Sequence, residues 1–328
     1  MIQLSENKIK LNSPGKVNIH LAVGEKRADG FHNLESIFAA LDFADTLNIT
    51  FLPGKEGKTG ITVRKEGPFL ELFQKGQVFP PLSTENNIVF LACELFRSKT
   101  GFKTDLSIEL IKRIPPGSGL GGGSSNAATT LVALNEQFSG RRKMIPKEEM
   151  LELAAQLGSD VPFFIEIALT GPQKSPNLHN SSARVAGGRG EILRYAPNPP
   201  PWGILLAFPG FTSHTSAAFN LLDQSRPDFA KHTRVNSPVL KDFSWDTPEN
   251  WNYSNDFEEI FLQHGPEKER DAYRTVLAGL KKAGASFAGL SGSGSACFGV
   301  FPGYKEALKA EKALGDVFYV LKSTFFLR

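Results

Sequence analysis

Five glycines fall within the seven residues Gly117 to Gly123, with Pro115 and Pro116 before them and Ser124 and Ser125 after. Glycine lets a backbone turn without Cβ clashes and lets N–H groups approach a ligand closely. The loop separates an alternating apolar stretch (Leu106, Ile108, Leu110) from an Ala-rich helix expected over 125–138. The N-terminus of a helix offers unpaired N–H groups and the positive end of a dipole, which suits a phosphate. Ser118, Leu120 and the two serines complete a candidate nucleotide-phosphate loop, with hydroxyls that could also help hold a phosphate-bound metal ion. A flexible linker would need neither the prolines on one side nor the helix on the other.

Two familiar phosphate loops fit poorly. No Lys follows the glycines, so the Walker A pattern is absent. Gly117, Gly119 and Gly122 satisfy GxGxxG, but a dinucleotide fold needs a strand after the helix and an acid about 20 residues on. Here the acid near that distance is Glu136, still on the helix, and a second helix is expected over 147–157.

The elements around the loop read as an α+β pattern, several strands followed by helices. Val17, Ile19, Leu21 and Val23 alternate as a strand with one face buried, and Leu47, Ile49 and Phe51 repeat the pattern. A helix is expected over 85–100, stopped by Gly101, and the helix over 147–157 is stopped by Gly158. Prolines gather between 171 and 201, so 171–183 reads as an exposed loop and the domain boundary is placed near 168. Beyond it come strands at 204–208, 286–291, 296–301 and 317–322, helices at 216–223, 268–283 and 304–314, and a polar loop over 225–250. A small antiparallel sheet backed by helices is expected there.

Composition excludes other classes. The 328 residues are 41% apolar and 22% charged, with a net charge of +3, so a real core is expected and a dedicated nucleic-acid binder is not. Cys93 and Cys297 provide neither a disulfide framework nor a zinc site, which fits a reducing compartment. No apolar run is long enough to span a membrane, and the first residues carry no export signal. A soluble cytoplasmic protein, monomeric or homodimeric, is the expectation.

The loop Pro-x-Gly-x-Gly-Leu-Gly-Gly-Gly-Ser-Ser-Asn-Ala-Ala is similar to the ATP-binding motif of the GHMP kinases. Further blocks resemble that family in the same order: 13–21, Lys26-Arg27-Ala28-Asp29-Gly30-Phe31-His32, 157–164, Asn255-Asp256-Phe257-Glu258, and Leu290-Ser291-Gly292-Ser293-Gly294. The likeness spans residues 8 to about 302. It implies two domains: an N-terminal ATP-binding α+β domain (1–168) and a C-terminal ferredoxin-like domain (169–328), with the active site between them. The Arg-x-Asp-Gly-Phe-His block resembles the branch whose acceptor is a cytidine-diphosphate-linked methylerythritol. Phe31 stands where that branch usually has Tyr, which keeps a ring for stacking and loses a hydroxyl.

The resemblance implies that Asp160 is the catalytic base and Lys16 the catalytic lysine. Spacing alone favours a turn or capping residue for Asp160 and a solvated side chain for Lys16. The resemblance also implies Asn18, Phe31, His32 and Phe219 as substrate-binding residues, with the two aromatic rings sandwiching the base. Thr215 has two open roles, phosphate contact or helix cap. Gly292 and Ser293 sit in a hairpin turn that, by resemblance, closes on the ATP loop. Mg²⁺ is expected with ATP, bound mainly through it, and no carboxylate cluster identifies its ligands. The competing readings are a GHMP kinase with another small alcohol, a silent nucleotide-binding regulator on the same fold, and a dehydrogenase.

Overall fold

The computed structural model describes residues 7–79, 81–82, 85–139, 144–170, 181–226, 240, 243–315 and 320–328. Most of the expected 171–183 loop, most of the 225–250 loop and the start of the 317–322 strand lie outside these residues.

Two long strands, β1 (Lys8–Lys26) and β2 (His32–Phe51), form an antiparallel hairpin that runs the length of the first half. On the other side of β2, its C-terminal half pairs with β4 (Leu106–Lys112), which carries β3 (Thr59–Lys65) parallel to it. Its N-terminal half pairs with β5 (Ala183–Gly187), and β6 (Ile192–Tyr195) completes a six-stranded sheet. The boundary expected at 168 falls before two strands of this sheet. The chain reaches the second sheet only at Gly203.

Helices α1 (Gly67–Gln74), α2 (Ile88–Thr100), α3 (Gly122–Ser139), α4 (Lys147–Leu157) and α5 (Val161–Thr170) belong to this half. Asn87 caps α2 by accepting from Val89 N, and Gly101, left-handed at φ +69°, ends it. Helix α3 starts three residues before the expected Ser125. Glycine's poor helix propensity hides those residues from a sequence reading, but a Cβ on Gly122 would stand 2.8 Å from both Ile114 and Lys112 Nζ.

The second half consists of β7 (Gly203–Phe208), α6 (Thr215–Ser225), α7 (Asp256–His264), α8 (Glu267–Lys282), β8 (Phe287–Leu290), β9 (Cys297–Phe301), α9 (Tyr304–Leu314) and β10 (Val320–Phe325). The antiparallel order β10-β7-β9-β8 is the ferredoxin-like arrangement.

The two sheets face each other between two helical layers. On β2, Phe38 and Ala40 point to the helical core with α3 and α5, whereas Ile37, Ala39 and Leu41 meet Ile204, Leu206 and Phe298 of the second sheet. On β7, Leu205 and Ala207 turn to α7 and α8. The period of two thus serves a core on each face. This is why β1 departs from the expected one-faced strand: Lys16, Asn18 and His20 are buried together with Val17 and Ile19. Its register on β2 shifts between Pro14 and Lys16 and again between Asn18 and His20, which re-aims side chains along one strand.

Asp45 of β2, fully buried, ties these elements to the glycine loop. It accepts from Arg113 N (2.7 Å), Ile114 N (2.9 Å), Asn126 Nδ2 (3.0 Å) and Lys112 Nζ. Asn126 Nδ2 also donates to Ser13 Oγ (2.9 Å), and Ser13 donates to Ser125 Oγ (2.8 Å). Removing one partner of a buried ion pair strands the other charge, so Asp45→Ala is expected to lower stability by about 3–5 kcal/mol. A urea-unfolding midpoint close to that of the parent protein would contradict this.

Candidate active site

A cavity of about 720 Å³ opens between the two halves. Every residue expected at the site lines it except Ser125, which lies fully buried behind the loop.

The glycine loop takes its path from three left-handed glycines, Gly117, Gly119 and Gly121, at φ +66° to +74°. It is clamped from the second half by the turn between β8 and β9. Ser295 N and Ala296 N donate to Gly117 O and Ser118 O at 3.2 and 3.0 Å, and Ser291 Oγ donates to Gly119 O at 3.0 Å. A Cβ on Gly119 would stand 2.1 Å from Ser291 O. From the first half, Lys16 N donates to Leu120 O at 2.9 Å.

The expected serines divide. Ser118 Oγ is used within the loop, donating to Pro115 O at 2.7 Å, and Ser125 braces it from behind. Ser124 is partly exposed on the cavity wall. The free N–H groups of the first turn of α3 open at the same place, so a phosphate there would meet dipole and donors together.

Lys16 and Asp160 come together as the resemblance implied, with Nζ and Oδ2 3.4 Å apart. Asp160 sits on the turn just before α5 and remains 30% exposed, whereas the Lys16 side chain is 4% exposed. Lys16 is further held by Asn18 Oδ1 and by the face of Phe38, 5.3 Å from the ring centre. Asn18 in turn donates to Ser36 Oγ at 2.9 Å. Its carboxamide therefore orients the lysine, and the residue also lines the cavity.

The Arg27–His32 block forms the turn of the β1–β2 hairpin. Asp29 Oδ1 accepts from Phe31 N at 3.1 Å and Gly30 takes φ +85°, leaving Phe31 49% exposed. The Arg189 guanidinium covers the Phe31 ring at 4.6 Å. Phe219 of α6 is not bare: it stacks on His32 (5.2 Å, 22°) and meets Phe257 edge-on (4.9 Å, 85°). Without ligand, the two expected halves of a sandwich are therefore one exposed ring and one already paired. Thr215 Oγ1 lies 3.1 Å from Ser293 Oγ and makes no cap, which removes the capping alternative.

Several supporting residues carry no role in a sequence reading. Asn255 caps α7 and donates to both Leu290 O and Gly292 O at 2.8 Å, fixing the hairpin that clamps the loop. Asp256 accepts from Val23 N at 2.7 Å and pairs with Arg226, bolting α7 to β1. Glu258 accepts from Leu290 N at 2.7 Å; burial raises its pKa above the ordinary carboxylate value, and that hydrogen bond opposes the rise. The Asn-Asp-Phe-Glu block was legible as a motif, but only the fold shows that it serves the hairpin. Arg189 and Asp223 also line the cavity and gave no signal beyond their charge, and Lys26, which opens the 26–32 block, lines it as well.

Among the described residues no group of three or more His, Cys, Asp or Glu could hold a metal ion. A Mg²⁺ arriving with ATP keeps water and phosphate oxygens and needs few protein ligands. Asp160 and Ser124, both on the cavity wall, carry oxygen atoms that would suit such an ion. Among the described residues no helix is long and apolar enough to cross a membrane.

The fold agrees with what the chain resembles. Residues 87–166 match the GHMP kinases N terminal domain and 240–320 the GHMP kinases C terminal domain. A 4-diphosphocytidyl-2-C-methyl-D-erythritol kinase of Chlorobaculum tepidum is 31% identical over 93% of each chain. One of Syntrophus aciditrophicus is 33% identical over 94% of this chain and 95% of its own. A crystal structure of a 4-(cytidine 5'-diphospho)-2C-methyl-D-erythritol kinase, 27% identical, covers 97% of this chain and 99% of its own with a TM-score of 0.65. The chain belongs to the GHMP kinases, in the family of the 4-diphosphocytidyl-2-C-methyl-D-erythritol kinases.

Proposed function

We propose that this chain transfers the γ-phosphoryl group of ATP to the 2-hydroxyl of 4-diphosphocytidyl-2-C-methyl-D-erythritol, giving the 2-phosphate and ADP, as a cytoplasmic step toward isoprenoid precursors. The observation that carries the reading is the Lys16–Asp160 pair at 3.4 Å, set beside the glycine loop on the wall of one cavity.

Phosphoryl transfer asks mainly for positioning and for charge compensation. Loop N–H groups 117–123 and the start of α3 hold the β- and γ-phosphates, with Pro115 and Pro116 setting the loop's entry. Gly292 and Ser293 close over it from the second half. Asp160 accepts the proton of the acceptor hydroxyl as its oxygen attacks phosphorus. The Lys16 ammonium stabilises the developing alkoxide and orients the carboxylate. Asn18 acts through Lys16. A Mg²⁺ bound chiefly through ATP would supply neutralisation of phosphate charge. Phe31 offers the stacking face for cytosine, and Thr215 holds Ser293 near the acceptor's phosphates.

The direct test is ADP release from ATP and Mg²⁺ with the cytidine-linked methylerythritol, against galactose, homoserine and mevalonate. Release with the cytidine compound alone is expected. Release with another acceptor would favour the runner-up kinase reading, and ATP binding without release would favour a silent regulator. Lys16→Met and Asp160→Asn should each cut kcat by about 10²–10⁴-fold, while calorimetry shows ATP still bound; equal loss of both would sink the catalytic assignment. Gly119→Ala forces the hairpin off the loop. It should lower kcat/KM for ATP by about 10²-fold, and wild-type kinetics in that variant would show that the clamp does not matter.

A further inference from the structure

Two segments of the second half hold the glycine loop, and one buried side chain lies beneath both. Gly117 O accepts from Ser213 N at 3.1 Å and from Ser295 N at 3.2 Å. Ser213 belongs to the segment between β7 and α6, and Ser295 to the β8–β9 turn. Ser295 Oγ donates to Phe211 O at 2.6 Å and ties the two together. Tyr273 of α8, 1% exposed, reaches each of them. Its ring meets Phe211 edge-on (5.3 Å, 75°), and its hydroxyl stands against Gly294. A Cβ on Gly294 would lie 2.6 Å from that oxygen, 3.4 Å from Leu290 Cδ1 and 3.6 Å from Ser213 Cβ. The turn is therefore seated on three side chains, with the Tyr273 oxygen at the shortest range.

A hydroxyl is a costly group to place there. It is buried and has no hydrogen-bond partner among the described residues. Burial raises its pKa above the ordinary phenol value, so the neutral hydroxyl fills the space. An unpaired buried hydroxyl opposes folding. A Phe would set the same ring against Phe211 and Phe261 without that cost. What Phe would lack is the one atom that touches Gly294. A group that lowers stability where it seats a binding loop fits a positional task better than a packing one.

We propose that Tyr273 is a positioning residue for the nucleotide-phosphate loop: its ring sets the Phe211–Ser213 segment, and its hydroxyl stops the β8–β9 turn at Gly294. The two N–H groups on Gly117 O are thereby held in place. Tyr273 does not line the cavity and acts only through these segments. The inference rests on ATP as the phosphoryl donor, as assigned under Proposed function.

The test compares the parent protein with Tyr273→Phe in two measurements. One is urea unfolding without nucleotide, and the other is calorimetric titration with Mg²⁺ and a non-hydrolysable ATP analogue. The variant is expected to unfold at the same or a higher urea concentration, because no hydrogen bond is lost. It is expected to bind the analogue about 10-fold more weakly, the low end for one charge-assisted hydrogen bond between loop and phosphate. Opposite signs in the two measurements separate positioning from packing. Equal affinity in the two proteins overturns the proposal. So does a lower unfolding midpoint in the variant, the mark of an ordinary structural contact. A parent protein that binds no analogue overturns the ATP assignment itself, and this inference with it.

Discussion

One buried carboxylate sets the geometry on which the site depends. Asp45 has no contact with solvent, yet it takes hydrogen bonds from both backbone N–H groups that lead into the glycine loop and from Asn126 on the helix that leads out. A loop of five glycines has many conformations to lose, and fixing each residue costs about 1–2 kcal/mol. Holding both ends on a single charged acceptor removes much of that freedom before a nucleotide arrives. Lys112 makes the arrangement tolerable by compensating the charge, because an isolated buried carboxylate would be strongly disfavoured. Its ammonium also lies close beneath Gly122, at the start of α3, so the cation that neutralises Asp45 adds positive potential where a phosphate would bind.

The second constraint is that the loop is finished by the other half of the molecule. Backbone donors of the β8–β9 turn reach carbonyls of Gly117 and Ser118, at a separation that only a glycine at 119 permits. That turn is in turn held by Asn255, and α7 is pinned to β1 through Asp256. The lysine strand, the phosphate loop and the hairpin therefore form one hydrogen-bonded ring around the cavity. Catalysis by positioning requires such over-determination, since a misplacement of about 1 Å can cost two orders of magnitude in rate.

What the sequence made legible follows from the range of the interactions. The phosphate loop could be read because its chemistry is local: glycines, a following helix and hydroxyls within ten residues. Helices α2 and α4 could be read because their stop signals, Gly101 and Gly158, adjoin them. Asp45, Lys112 and Asn126 could not, because they meet only through a sheet and are far apart in the chain. Helix α5 was missed because six of its ten residues are buried, so its apolar run has no polar face to set a helical period. The one-faced reading of β1 failed because sheet-on-sheet packing and two register shifts bury its polar positions as well. Lys16 and Asp160, 144 residues apart, were paired by likeness to a family, and spacing alone had favoured a solvated lysine and a turn aspartate.

The unequal burial of that pair gives the site a direction. Lys16 is enclosed by Asn18, Phe38 and Gly121 and can move little. Asp160 keeps about a third of its surface open on the rigid turn before α5. In the proposed mechanism the base must reach its proton, and the carboxylate is the exposed member of the pair. The buried member must be the cation, because enclosure away from water strengthens its hold on a developing alkoxide. The reverse burial would leave a solvated, screened ammonium and a carboxylate unable to meet the hydroxyl. In the proposed mechanism the acceptor therefore approaches from the Asp160 side of the cavity, while ATP lies on the glycine loop. Transfer between two bound substrates demands that they meet in line, which entry from different sides allows.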